Sequence, residues 1–240
     1  MCGRCVILTF DEVLGVIQQI VVYALVGKQP DWPARIPSPG AATDAGALAG
    51  AGTQGANAYP SSVAPLIIPT FDTALGVNRF EEGLLEARQL VWGFEEAWKP
   101  GQLVFNTRIE SADKPMWRDA LAHRRCVIPV TSFFETHQTE TRPSAKTGRP
   151  VKRSYEFRVP GQNVVLIGGV WTNGRFSMVT TEANAAMAPI HPRMPLVLRQ
   201  EELLQWLGPD YQQLADRSSI PLEAEPIDRG ADATGTLPLF

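Results

Sequence analysis

The stretch from Cys126 to Thr181 constrains the fold most. Short apolar runs follow one another at intervals too close for helices between them: Cys126-Val127-Ile128-Pro129-Val130 with Phe133-Phe134-Glu135, Tyr155 to Val159, Val164 to Val170, and Phe176 to Thr181. Asn173-Gly174 joins the last two, and this dipeptide favours the type I′ turn of a two-residue hairpin. Strands joined by hairpins pair antiparallel, whereas parallel pairing needs long crossovers. Upstream, Ala64-Pro65-Leu66-Ile67-Ile68 and Ala87 to Phe94 read as two further strands. With few helices and no βαβ alternation, the sequence predicts an α+β fold with a largely antiparallel sheet. Residues 138–153 are polar and basic, and read as a hairpin loop.

Helices frame this block. Val13 to Val26 is strongly apolar, with Asp11 as the expected N-cap and a stop near Gly27. It is shorter than the roughly 20 apolar residues that span a bilayer. Asp11 and Glu12 precede it and Gln18-Gln19 interrupt it, so it reads as a buried helix and not a signal or membrane segment. A second helix is expected from Lys114 to Arg125, with Asp113 as N-cap and Pro115 in the first turn. Glu201 to Leu207 and Tyr211 to Ala215 read as two short amphipathic helices. Residues 28–56 are rich in Pro, Gly and Ala, and read as a flexible loop or insertion. The expected organisation is one domain over 1–222, followed by an acidic, partly disordered segment over 223–240.

The 240 residues are 44% hydrophobic and 20% charged, ordinary usage for a folded protein. A net charge of −3 excludes binding of nucleic acid through bulk positive charge. The distribution is uneven, since residues 101–160 carry a net +5 and residues 201–240 a net −6. Such a basic middle is either a solvated face or a local footprint for phosphates. Three cysteines, Cys2, Cys5 and Cys126, argue against a disulfide framework and for a reducing compartment, with the cytoplasm as the default.

Four side chains stand out chemically. Removal of the initiator methionine would leave Cys2 with both a free α-amine and a thiol, a pair able to trap an aldehyde as an imine and then a five-membered thiazolidine; the alternative is an ordinary small residue near a chain end. Cys2-Gly3-Arg4-Cys5 is also a Cys-x-x-Cys, but no second closely spaced pair completes a zinc site, so no metal or other cofactor is expected. His191 lies in Pro189-Ile190-His191-Pro192-Arg193-Met194-Pro195, a loop stiffened by three prolines, where it suits proton transfer beside a phosphate-binding arginine. Glu135 follows two phenylalanines, which would partly desolvate a carboxylate suited to acid/base work. Each of the last two also has a purely structural reading.

Read in order, Met1-Cys2-Gly3-Arg4, Asn57-Ala58-Tyr59-Pro60, Trp92-Gly93-Phe94, Asn106-Thr107-Arg108-Ile109-Glu110 with Lys114-Pro115, Arg124-Arg125-Cys126 to Phe134-Glu135, Thr180-Thr181-Glu182-Ala183-Asn184 and His191 to Pro195 resemble the SOS-response-associated peptidase (SRAP) family. The resemblance spans nearly the whole chain. It implies a barrel-like β core with flanking helices, and a protein, expected to be monomeric, that binds single-stranded DNA and crosslinks itself to abasic sites. Cys2 matches the crosslinking cysteine, Asn106 the asparagine beside it, Glu135 the catalytic glutamate and His191 the catalytic histidine. Arg4, Arg108 and Arg193 match arginines at the DNA backbone. Asn57, Arg118 and an exposed, base-stacking Trp92 complete the implied DNA surface.

The chain departs from the family pattern at four places. Cys5 stands where an aromatic residue is usual, Glu95-Glu96 where Ile-Pro is usual, and Thr136 where tryptophan is usual; residues 28–56 look added or diverged. Two other functions fit the same residues: a thiol peptidase or autopeptidase using Cys2 with His191 as base, and a non-catalytic reader of single-stranded or modified DNA.

Overall fold

The computed structural model describes residues 2–26, 56–72, 77–78, 85–95 and 101–227. In chain order the elements are β1 (Arg4–Ile7), α1 (Phe10–Val26), β2 (Ala56–Ala58), β3 (Val63–Pro69), β4 (Phe71–Asp72), β5 (Val77–Asn78), β6 (Leu85–Trp92), β7 (Phe94–Glu95), β8 (Leu103–Val104) and β9 (Asn106–Arg108). They continue with α2 (Pro115–His123), β10 (Arg125–Pro143), β11 (Pro150–Arg158), β12 (Val165–Thr172), β13 (Arg175–Glu182), β14 (Arg193–Pro195), β15 (Val197–Leu198), α3 (Leu203–Leu207) and β16 (Glu223–Pro226). Nearly all of the loop expected over 28–56 lies outside the described residues; Ala56 already belongs to β2.

Strands β12, β13, β6, β3 and β10 pair in that order, and β10 pairs again with β12, closing a ring. The β13–β6 contact is parallel and the other ring contacts are antiparallel. Because β3 meets β10 at a single pair, Val127 with Ile67, the ring is barrel-like and not a regular barrel. The expected α+β class is thus the observed one.

The ring buries both faces, which is why its strands read as continuous apolar runs. Leu66, Ile68, Trp92, Phe133, Phe157 and Met178 point inward, with Phe133 stacked on Phe157 at 5.3 Å between centroids. Neighbouring residues Ile67, Val127, Leu166 and Val179 point outward beneath the helices, against Val13, Val16, Leu121 and Trp206. Each such side chain stabilises the fold by about 1.5–3 kcal/mol on burial. Gly168 and Gly169 mark the alternation: a Cβ on the first would sit 3.0 Å from Trp206, and one on the second 2.9 Å from the Cys126 sulfur. Arg125 locks the outer layer. Its buried guanidinium donates to the carbonyls of Leu121 and Ala122 at the end of α2, and to those of Trp206, Leu207 and Gly208 at the end of α3. Cations at helix C-termini meet orphan carbonyls there.

Several local expectations are corrected. α1 is capped by Thr9, not Asp11: the Glu12 amide donates to the Thr9 hydroxyl at 3.3 Å and the Thr9 amide to the Glu12 carboxylate at 2.7 Å, a capping box. Asp113 does not cap α2, which starts after Lys114 with Pro115 at its first position. The expected loop over 138–153 is mostly ladder, since β10 runs to Pro143 and β11 begins at Pro150. Gln200–Glu202 and Tyr211–Ala215 are 3₁₀ turns around the short α3. The expected turn at Asn173-Gly174 is present, with φ of 48° and 74°. Finally, β16 pairs with β11, so the first residues of the acidic segment belong to the sheet.

Candidate functional site

Three strands converge on Cys2. In the β1–β10 ladder Arg4 faces Phe134 and Cys5 faces Phe133, which brings the segment before Arg4 alongside Glu135. β9 pairs in parallel with β13, Asn106 beside Met178, and the Asn106 amide nitrogen donates to the Cys2 carbonyl at 2.8 Å. The Cys2 thiol is buried and donates to the Arg4 carbonyl at 3.4 Å. Burial and the negative charge of Glu135 push this thiol up to about 12, against partial relief from the Arg4 and Phe134 backbone and the positive chain terminus. Glu135 is itself buried, and one of its oxygens accepts the Thr136 amide at 3.2 Å. A carboxylate held beside a protonated thiol can take its proton when the sulfur reacts.

His191 lies between β13 and β14, on a segment fixed from both sides. Asn184 is buried there; its side-chain oxygen accepts the Ala186 and Met187 amides at 3.1 Å, and its nitrogen donates to Ile220 at 2.8 Å. The Gln138 amide donates to the Ile190 carbonyl at 3.2 Å, linking this loop to β10 three residues beyond Glu135. His191 Nδ1 accepts the Arg193 amide at 3.0 Å, which leaves the proton of a neutral ring on Nε2. The Arg193 carbonyl lies 3.1 Å from the same Nδ1 and can accept a proton placed there. The Nδ1 edge of the ring is thus held by the Arg193 backbone. Asn184 and Gln138 were not singled out from sequence. The Asn184 signal was its place in a loop of tight turns, where asparagine bonds nearby amides.

The residues expected at DNA behave differently from one another. Arg4 donates to the Asn57 side chain at 2.9 Å and lies 4.0 Å above the Phe134 ring, so Phe134 helps to aim it. Arg108 is exposed at the end of β9, two residues from Asn106 and therefore on the same strand face. Arg118 is exposed on α2 and donates to the Asp113 carbonyl at 3.0 Å. Arg193 makes a two-pronged contact with Glu110, both bonds 2.9 Å, and donates to the Thr180 carbonyl at 2.8 Å. Burial works to raise the Glu110 carboxyl, but the Arg193 bonds and the charges of Arg193 and Arg108 outweigh it and hold Glu110 below its ordinary value.

Trp92 is a correction. It is 0% exposed, donates to the Phe105 carbonyl at 2.9 Å and stacks on Phe176 inside the ring, so it fills the core and presents no face to a base. Its position at the inward-facing end of β6 explains this. Glu95 is paired with Arg175, and Glu96 lies outside the described residues. Cys5 points into the interior beside Ala58 and Phe133; burial first, and then the neighbouring Cys2, push its thiol well above the ordinary range. Among the described residues, no group of three or more His, Cys, Asp or Glu is placed to hold a metal ion.

The model of the SOS response associated peptidase (SRAP) family matches residues 1–229. This chain belongs to the SRAP family. Among curated relatives, the abasic site processing protein YoqW of Bacillus subtilis is 29% identical over 135 residues, covering 50% of this chain and 57% of that protein. YoaM of the same organism is 30% identical over 132 residues, covering 50% and 56%, and YedK of Escherichia coli is 26% identical over 148 residues, covering 54% and 61%. The alignments thus span little more than half the length of these SRAP relatives. A crystal structure of a phage-related protein from Bordetella bronchiseptica superposes with a TM-score of 0.58 at 18% identity, covering 95% of each chain. A protein from Bacteroides thetaiotaomicron gives 0.52 at 23% identity, covering 73% of this chain and 78% of that one. At these identities the structural likeness speaks for the fold alone. No described helix is long and apolar enough to cross a membrane.

Proposed function

We propose that this SRAP protein, once Met1 is removed, binds single-stranded DNA and joins its N-terminal Cys2 to abasic sites as a thiazolidine. The observation that carries the reading is the fixing of Cys2, the residue after Met1: its carbonyl is held by Asn106 and its thiol is buried under the influence of Glu135. The printed names of the curated relatives, abasic site processing proteins, support the substrate class.

An abasic sugar is a closed hemiacetal in equilibrium with an open aldehyde. Opening breaks the bond from the anomeric carbon to the ring oxygen, with His191 supplying a proton to that oxygen as the anomeric hydroxyl loses its own. The Cys2 amine then adds to the aldehyde carbon, the hydroxyl so formed takes a proton from solvent and leaves as water, and an iminium remains. The Cys2 sulfur adds to the same carbon, its proton passes to Glu135, and the ring closes. Asn106 orients the residue throughout. Arg4 and the exposed Arg108 and Arg118 offer charge-assisted contacts to phosphates, which position the strand without reading its sequence.

A thiol peptidase needs its cysteine as a thiolate, and reactive cysteines have lowered pKa values. Burial and Glu135 act on Cys2 in the opposite direction. Ring closure needs no standing thiolate, since Glu135 can take the proton as the sulfur adds to the iminium.

The test is Cys2→Ser. It keeps the amine and loses the sulfur, so borohydride should still trap an imine with abasic DNA while the heat-stable adduct disappears. An undiminished heat-stable adduct would refute the thiazolidine.

A further inference from the structure

We propose that the outer part of the β10–β11 ribbon, residues 141–153, is a second phosphate-binding surface that grips the DNA backbone flanking the reactive nucleotide; this rests on the DNA-binding reading above. The ribbon's composition points there. Residues 141–153 include Arg142, Lys146, Arg149, Lys152 and Arg153, and no Asp or Glu. Lys146, Arg149 and Lys152 are exposed.

The ribbon is an ordered projection. Its ladder runs through Thr141 with Lys152, Arg142 with Val151 and Pro143 with Pro150, and the Ser144 amide closes the turn on the Arg149 carbonyl at 2.8 Å. At its root the register shifts between Thr136 and Thr141. There Glu140 binds Arg153 at 2.6 Å and the Tyr155 hydroxyl at 2.5 Å, while His137 Nδ1 accepts the Glu140 amide at 2.9 Å. This cluster pairs Arg153 with Glu140 and fixes the root of the ribbon.

β16 covers Tyr155 to Arg158 of β11, and the last described bond, from the Ile227 amide to the Ser154 carbonyl at 2.9 Å, lies at the root. Lys146, Arg149 and Lys152 thus gather like charge on an exposed ribbon whose residues 141–153 carry no acid of their own, and such a patch favours a polyanion.

The partner is a sugar-phosphate backbone and not a row of bases. Residues 141–153 contain no aromatic side chain, whereas sequence-tolerant single-strand binding by bases relies on stacking. Tyr155 pairs with Glu135, so along β11 Lys152 lies three residues and Arg149 six residues from that level, about 10 Å and about 20 Å at roughly 3.3 Å per residue. These distances are at or beyond the Debye length of about 10 Å at 0.1 M salt, so the cations act by touching DNA more than by altering Cys2 through space.

The experiment compares the parent with a variant carrying Lys146→Ala, Arg149→Ala and Lys152→Ala together. The probes are abasic single strands of about 5 and about 20 nucleotides, bracketing common single-strand site sizes. For the long strand, the variant should bind more weakly, with a log K against log salt slope smaller by about 2, at about 0.7 for each of three lost contacts. Affinity and crosslink yield on the short strand should match the parent. Unchanged affinity and slope on the long strand would overturn the proposal, as would an equal loss on both lengths. A parent protein that binds the long strand but crosslinks neither strand would instead refute the crosslinking function, with the ribbon still judged on the slope.

Discussion

Asn106 and Cys2 are 104 residues apart, yet the Asn106 amide holds the Cys2 carbonyl at 2.8 Å. The bond joins β9 to the chain terminus and needs no change in charge to form, so it fixes position more than reactivity.

Removing it should slow the chemistry and spare binding. A hydrogen bond of this kind contributes about 0.5–1.5 kcal/mol, so Asn106→Ala should lower the crosslinking rate by roughly two- to tenfold. Asn106→Asp places a carboxylate oxygen against the Cys2 carbonyl and should do at least as much harm. Single-turnover crosslinking beside a binding isotherm on intact DNA checks both. Equal losses of rate and affinity would mean that Asn106 supports the fold and not the placement of Cys2.

Glu135 should have opposite effects on two reactions of one sulfur. Its charge helps to raise the Cys2 thiol, after burial, so Glu135→Gln should lower that pKa and speed alkylation of Cys2 by iodoacetamide at a fixed pH near 8. Crosslinking should slow by about a hundredfold or more, the usual cost of losing a general acid/base. Alkylation followed by peptide mass mapping reads the first effect. Slowing of both reactions would contradict the assigned role.

Buried thiols should also weaken the fold at alkaline pH. Cys2, Cys5 and Cys126 all have thiols raised above the ordinary value of 9.0, in each case chiefly by burial. Above pH 9 the unfolded chain releases these protons while the folded chain keeps them, so the unfolded state gains. Their contribution is complete below about pH 9 and falls as pH rises toward 12. Denaturant midpoints measured from pH 8 to 11 should decline, and decline less steeply in Cys126→Ala, whatever the cost of its cavity at pH 8. Parallel declines in both proteins would show that other groups control the alkaline transition.

The architecture was legible where pattern follows directly from burial. The close-set apolar runs and Asn173-Gly174 marked β12 and β13, and Pro115 marked the start of α2. The Thr9 capping box was also present in the letters, but Asp11 is an equally good cap by residue type, and only the bonds distinguish them. Polarity misled at residues 138–153, because a two-stranded ribbon projecting into solvent needs no apolar face. Trp92 misled for the converse reason: an aromatic residue matched to a functional block can still belong to the core. Local sequence named Cys2, Glu135 and His191, but pairing across the chain decides that Arg193 meets Glu110 and that Asn184 braces the His191 loop.

Intact mass spectrometry, before and after incubation with an abasic single strand, tests the crosslinking function most directly. The parent should lose Met1 and gain the mass of the DNA minus one water, the balance of forming a thiazolidine from an amine, a thiol and an aldehyde. Cys2→Ala should show no heat-stable adduct. The same adduct on Cys2→Ala, or on protein that retains Met1, would contradict attachment through the N-terminal cysteine.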